Sequence, residues 1–271
     1  MSLTTLINEN CSEKIDEIFK QWDKPDSPGC ALGIVKHGDI IYKKGYGMAN
    51  LEYGIPITPQ TVFNMGSISK QFTAFSILLL EQEGKLSLED NIHSYLPYLP
   101  HFGKKITIQH LLNHTSGLRE ERELFMMSGW RDDHFVTQSD ILNIVKRQQE
   151  LNFEPGSEYL YSNTGYTLLA EIVETVSGTN LTDFTDINIF KPLGMEQTHF
   201  RRSYRQIVKN CACPYRFDSM QGIEKSILSF ATVGPRGLLS TVEDLVKWDK
   251  NFYTGKVGGM TVLKKMMQKY L

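Results

Sequence analysis

Residues 69–80 read Ser-Lys-Gln-Phe-Thr-Ala-Phe-Ser-Ile-Leu-Leu-Leu. The pattern is helical and apolar around most of its circumference, so it predicts a helix buried in a core. Gly84 is placed to end it, because glycine accepts the left-handed conformation at a helix C-terminus. A lysine in the first turn of such a helix needs a reason.

The rest of the chain alternates between the two basic periodicities. Ile15, Ile18, Phe19 and Trp22 fall at helical spacing within 12–22, with Ser12 as the expected cap. Two β-rich runs, 30–36 and 40–46, flank His37-Gly38 and predict a hairpin. From about 85 to 200 the pattern is helices and loops. A short helix is expected in TIQHLLNHTSG, and an amphipathic one in SDILNIVKRQQ with Ser139 or Asp140 near its cap. Leu168, Leu169, Ile172, Val173 and Val176 share one face of a helix that stops at Gly178. DFTDINIFKPLGM reads as a helix broken at Pro192 and Gly194. β-like and loop segments follow to about 240. Thr241 then caps a last helix whose first turn carries Glu243 and Asp244, which suits the helix dipole. No internal repeat or low-complexity linker interrupts this order. It predicts one α+β unit over 1–271: a sheet-containing part at about 1–66 and 205–271, and a helical part at about 67–204.

Composition narrows the function classes. The 271 residues carry a formal net charge of -2, with 41% hydrophobic and 22% charged residues. There is no basic excess to suggest nucleic acid as a partner. The apolar run Ile77–Leu80 is far too short for a membrane span. The opening residues, MSLTTLINENCSEKIDEIF, lack a basic start followed by an apolar core and do not read as a secretory leader; the compartment is left open. The four cysteines form no CxxC pair and are read as plain thiols. His110 and His114 stand four apart, but no third ligand is evident, so no metal or other cofactor is expected. The chain has no G-x-S-x-G elbow, no Walker A motif and no full G-x-G-x-x-G.

The candidate chemistry lies at the start of the apolar helix. Ser67 and Lys70 are three apart, hence on one face and one turn from each other. A helix start favours negative charge, so an oxyanion there would be stabilised. A lysine among Ile68, Phe72, Phe75 and Leu78 would be poorly solvated, and desolvation lowers its pKa toward that of a usable base. A capping serine followed by a snorkelling lysine is the plainer alternative. A second element, Tyr161-Ser162-Asn163, places Tyr161 and Asn163 on the same side of an extended segment. The phenol can relay a proton, and the amide can orient a lysine or hold a substrate carbonyl. A loop tyrosine followed by a helix-capping asparagine is the alternative there.

Taken together with their surroundings, these residues resemble the serine β-lactamase and penicillin-binding-protein superfamily, in particular its class C β-lactamase-like, D-alanyl-D-alanine carboxypeptidase and esterase branch. The matching stretches are VFNMGSISKQFTAFSILLLEQEGKLSLEDNI, ITIQHLLNHTSGL, EPGSEYLYSNTGYTLLAEIVETVSG, IFKPLGMEQTHF and GPRGLLSTVEDLVKW, in order over roughly 28–254. The resemblance implies a β-lactamase/transpeptidase-like fold, an antiparallel sheet flanked by helices plus a helical subdomain. It also implies an acyl-serine hydrolase acting on a small amide, β-lactam, ester or peptidoglycan-peptide substrate. Ser67 would be the acylated nucleophile. Lys70 and Tyr161 would share the proton transfers, and Asn163 would contact Lys70 and the substrate amide.

Two departures stand out. Pro235-Arg236-Gly237 replaces a segment where the family usually has smaller residues, so Arg236 is expected to add bulk or charge at the pocket rim. The family's third motif, Lys-Thr-Gly or His-x-Gly, supplies an oxyanion-hole N–H from a later strand. Losing one such donor typically costs about 10²–10³ in rate. Tyr253-Thr254-Gly255 and His114-Thr115-Ser116-Gly117 only resemble it. The expectation is therefore that the C-terminal strands are missing or come from a partner. The hairpin would then keep an unpaired, partly uncovered edge open to self-association. The competing reading is a non-catalytic binding scaffold.

Overall fold

The computed structural model describes residues 9–131 and 134–268. In chain order the elements are α1 (Glu9–Phe19), β1 (Cys30–Lys36), β2 (Asp39–Tyr46), β3 (Met48–Asn50), β4 (Ile55–Pro56), β5 (Phe63–Asn64), α2 (Ser69–Gln82), α3 (Ile108–Leu112), α4 (Glu121–Met127), β6 (Val136–Thr137), α5 (Gln138–Val145), α6 (Asn163–Ser177), α7 (Leu181–Thr185), α8 (Lys191–Leu193), β7 (His199–Phe200), β8 (Tyr215–Asp218), β9 (Gly222–Lys225), β10 (Phe230–Ala231), β11 (Leu238–Ser240), α9 (Val242–Thr254) and α10 (Gly259–Met266).

The apolar run of α2 does what its pattern requires. Phe72, Phe75, Ile77 and Leu80 are fully buried. The Phe72 ring meets Phe190 at 5.2 Å and Trp248 at 4.6 Å, which ties α2 to the segment before α8 and to α9. The α6 face Leu168, Leu169, Ile172 and Val173 closes the same core. On the other flank α10 adds Val262 and Leu263, and Lys265 pairs with Glu81 of α2 at 2.7 Å.

The mixed helix-and-strand class is as expected, with the strands forming small separate sheets. The largest among the described residues is antiparallel, in the order β5-β11-β7. Leu239 pairs with Asn64 on one side and His199 on the other. Met65 N–H continues this pairing to the Leu238 carbonyl at 2.9 Å, which fixes the chain just before Ser67.

The expected hairpin forms from β1 and β2, with Lys36 opposite Asp39. His37 and Gly38 both have positive φ, 53° and 81°. That geometry matches the right-handed twist of the flanking strands. Helix α1 covers one end of the hairpin: Phe19 stacks on Tyr46 at 4.7 Å, and Asp16 accepts from the Tyr42 and Tyr46 hydroxyls at 3.0 and 2.8 Å. Among the described residues these strands pair only with each other, and Tyr46 is the one fully buried position in them.

Local expectations need correcting in several places. Helix α1 begins at Glu9, so Ser12 lies inside it and is not its cap. The cap of α5 is Thr137; Asp140 is the reciprocal partner in its capping box. Pro192 does not break its helix. A π-type turn over Asp186–Phe190 widens the helical ladder just before it, so the missing proline N–H falls in the first turn of α8. Gly194, with φ 74°, ends the segment. Helix α10 lies beyond the last expected helix; its Val262, Leu263 and Met266 fall at helical spacing and face the core.

Candidate active site

Ser67 sits in a tight 3-10 turn, Gly66–Ile68, that leads directly into α2. The turn is held from both sides. Asn64 Oδ1 accepts from Gly66 N–H at 2.9 Å, and Ser69 Oγ donates to the Gly66 carbonyl at 2.6 Å while accepting from Leu238 N–H at 3.1 Å. The Ser67 hydroxyl is therefore presented at the mouth of α2 from a fixed backbone.

Lys70 is 7% exposed. Its ammonium donates to Asn163 Oδ1 at 2.8 Å, to the Pro235 carbonyl at 2.9 Å and to Ser67 Oγ at 3.3 Å. It also lies 4.8 Å from the Tyr161 ring centre and 5.5 Å from that of Tyr166. The expected apolar collar from its own helix is not what surrounds it: Ile68 is exposed, while Phe72, Phe75 and Leu78 belong to the core. Lys70 instead reaches into a cage built by α6 and the 234–237 loop. Burial, with the Arg236 cation adding to it, lowers its pKa to about 8, against the opposing pull of Glu120 and Glu121.

Tyr161 Oη lies 2.8 Å from Ser67 Oγ and 3.5 Å from Asn163 Oδ1. Ser162 is extended, with φ -139° and ψ 124°, so Tyr161 and Asn163 project together as their spacing predicts. The structure thus brings all four sequence-identified residues, Ser67, Lys70, Tyr161 and Asn163, into one hydrogen-bonded cluster.

Sequence reasoning missed the supports. Glu120, at the entry to α4, accepts from Asn163 N–H and Nδ2–H, both at 2.6 Å. That fixes which end of the amide faces Lys70, because Nδ2 is taken and Oδ1 must be the acceptor. His114 Nδ1 accepts from Ser162 N–H at 3.1 Å, and its ring sits 4.6 Å from Tyr161. Burial, aided by the Lys70 charge, pushes the His114 pKa down to about 4, so it is neutral at pH 7. His110 is turned away, in the capping box of α3 with Thr107; the two histidines serve separate structural roles. Glu120 and Glu121 follow the HTSGL turn after Arg119, and a carboxylate pair there is the one local signal that could have drawn attention.

A cavity of about 810 Å³ opens above Ser67, Tyr161 and Asn163. Its wall carries Arg122, Arg131, Arg216, Lys225 and Arg236 and, among the described residues, no carboxylate. Several of these cations are balanced from outside it: Arg216 by Glu224, Lys225 by Glu52, and Arg236 by Glu121. Arg236 reaches the rim as expected, but it points toward α4.

A serine, a desolvated lysine and a tyrosine converging at a helix start, inside a mixed helix-and-strand unit, define the class. The chain belongs to the Beta-lactamase family, whose model matches residues 15–270. It is 38% identical over 215 residues to a penicillin-binding protein of Bacillus subtilis strain 168, covering 78% of this chain and 47% of that protein. It is 28% identical over 223 residues to a D-aminopeptidase of Gluconobacter oxydans, covering 82% and 42% respectively. Among solved structures, the octameric penicillin-binding protein homologue of Pyrococcus abyssi superposes with a TM-score of 0.84 at 30% identity, covering 96% of this chain and 60% of that one. The D-amino acid amidase of Ochrobactrum anthropi, complexed with D-phenylalanine, gives 0.74 at 25% identity over 86% of this chain and 68% of that one. The chain spans about half the length of the curated relatives it matches.

Proposed function

We propose that the chain carries the acylation site of a serine hydrolase acting on a carbonyl compound, with Ser67 as nucleophile. The observation that carries this reading is the convergence on Ser67 Oγ of Tyr161 Oη at 2.8 Å and Lys70 Nζ at 3.3 Å. Ser67 Oγ bonds to the carbonyl carbon as its proton passes to neutral Lys70, directly or through the Tyr161 oxygen. The Ser67 backbone N–H, in the first turn of the helix where amides lack intrahelical partners, supplies one donor to the oxyanion. Collapse breaks the bond to the leaving group, which takes the proton back. Water then attacks acyl-Ser67 by the same route, releasing the acid and restoring the serine. Asn163, held by Glu120, keeps Lys70 aimed at Ser67.

The relatives' names support a substrate that is an amide or peptide of a D-amino acid or a penicillin-type lactam, and the family resemblance adds an ester. The octameric homologue supports a further proposal, that the chain self-associates through its open hairpin edge.

Incubation with a fluorophosphonate and with a penicillin should add the reagent's mass to Ser67, and Ser67→Ala should remove the addition without changing the fold. Protein unmodified by both reagents overturns the proposal and leaves the binding-scaffold reading. The labelling rate should rise with pH and reach half its maximum near 8, because Lys70 must be neutral to accept the proton. The stability sign is fixed as well. The folded pKa of Lys70 lies below the ordinary lysine value, so the unfolded chain binds more protons between about 8 and about 10.4, and stability from this group rises with pH across that window.

A further inference from the structure

The Lys70 ammonium rests between two acceptors on separate segments. Asn163 Oδ1 belongs to α6, and the Pro235 carbonyl belongs to the loop preceding β11. That loop approaches α6 closely: a side chain at Gly234, which has φ 105°, would lie 2.3 Å from the Tyr166 carbonyl. One side chain joins the two holders. Arg236 Nη1 lies 2.9 Å from Glu121 Oε1, and its guanidinium covers the Phe230 ring at 4.3 Å. The Glu121 side chain is 0% exposed. Its other oxygen accepts from Thr167 of α6 at 2.9 Å, and its backbone N–H donates to Thr164 of α6 at 2.9 Å. Loop, Arg236, Glu121 and the first turns of α6 form a closed circuit around Lys70.

We propose that the Arg236–Glu121 pair is a clasp that holds the two Lys70 acceptors together, making Arg236 a positioning residue for the reaction assigned to Ser67. This rests on the acyl-serine reading. The pair is also an electrostatic control. Arg236 repels the lysine charge and Glu121 attracts it. The other groups facing Lys70 are Ser67 on its own turn, Tyr161 and Tyr166 from the α6 side, neutral His114 from the 114–117 turn, and Glu120 at the start of α4. The charges on these groups remain when Arg236 or Glu121 is substituted, but Glu121 itself has its pKa raised to about 7 by burial and is held down by Arg236, so the two members of the pair should act on Lys70 with opposite signs and unequal size.

The test is the pH dependence of Ser67 labelling by a fluorophosphonate in Arg236→Met, Arg236→Lys and Glu121→Gln. Arg236→Met should move the rise to higher pH by about half a pH unit and slow labelling at pH 7 by about threefold, because Glu121 takes up a proton once the guanidinium is gone and offsets part of the shift. Glu121→Gln should move the rise to lower pH, and Arg236→Lys should restore the wild-type midpoint. Opening the clasp from either side should also lower the plateau labelling rate in both Arg236→Met and Glu121→Gln; an unchanged plateau in both overturns the clasp, and midpoints that stay put or move the same way overturn the electrostatic control, either result leaving the acyl-serine reading standing. Should Arg236→Met fail to fold, Glu121→Gln and Arg236→Lys decide alone. Absence of labelling of the wild type by both the fluorophosphonate and a penicillin sinks the acyl-serine reading. The clasp is then judged by NMR titration of the Lys70 side chain, assigned by its loss in Lys70→Met: opposite displacements in the variants support it, and coincident titrations overturn it.

Discussion

Two of the cavities on this molecule are close in size and differ in kind. The one over Ser67 measures about 810 Å³, and the one between the hairpin and α9 about 880 Å³. The first is floored by groups that already satisfy each other: a lysine with three acceptors, an amide fixed by a carboxylate, and a hydroxyl pair at 2.8 Å. The second is walled by Val35, Val242, Leu245, Val246 and Tyr253, beside strands that pair only with each other among the described residues. Volume does not separate them. What separates them is convergence of polar groups in the first and uncovered aliphatic surface in the second, which suit chemistry and docking respectively.

The sharpest way to break that contrast is to remove the central cation of the first cavity. Lys70→Met should lower the rate of Ser67 acylation by about 10²–10⁴-fold, the range for a lost general base. Stopped-flow labelling measures it. A variant within a few-fold of wild type would mean that the polar convergence is structural. Next in size is the core beneath. Phe72→Ala removes the ring that touches both Phe190 and Trp248 and should cost about 3–5 kcal/mol by denaturant titration. A loss below about 1 kcal/mol would show that α2 is not the rigid base the site stands on. Smaller again is the carboxylate behind Asn163. Glu120→Gln exchanges two charge-assisted bonds for neutral ones and lets Asn163 turn its amide, so acylation should slow by about tenfold with little change in stability. An unchanged rate would take Glu120 out of the positioning network.

These residues differ in how far the sequence could show them. Ser67 with Lys70, and Tyr161 with Asn163, are local spacings on a helix turn and an extended segment, so one-dimensional periodicity is enough to bring each pair together. The partners that complete the cage are far away in the chain. Glu120 reaches Asn163 across 43 positions, and the Pro235 carbonyl reaches Lys70 across 165. A backbone carbonyl has no sequence signature, and a glutamate beside another glutamate reads as a solvated pair until burial is known. The same limit explains the lysine environment: the helix's own apolar residues were visible, but they point into the core, away from the ammonium. The misplaced α5 cap shows a milder form. Thr137 and Asp140 cap reciprocally, so composition located the box and not which member begins the helix.

The hairpin offers the smallest expected effect on the monomer and the clearest test of the second cavity. Val35 lies beside α9 on a strand with no further partner among the described residues. A lysine at that half-buried position can extend its ammonium out of the cavity toward solvent, and edge lysines oppose strand-to-strand association. Val35→Lys should therefore leave stability within about 1 kcal/mol of wild type. Sedimentation over a hundredfold concentration range should show the wild type gaining mass and Val35→Lys remaining a monomer. A wild type that stays monomeric throughout removes self-association through this edge. If both proteins associate equally, the contact lies on another surface. Either result would leave the Ser67 site untouched, because its hydrogen bonds join α2, α4, α6 and the 234–237 loop without involving the hairpin.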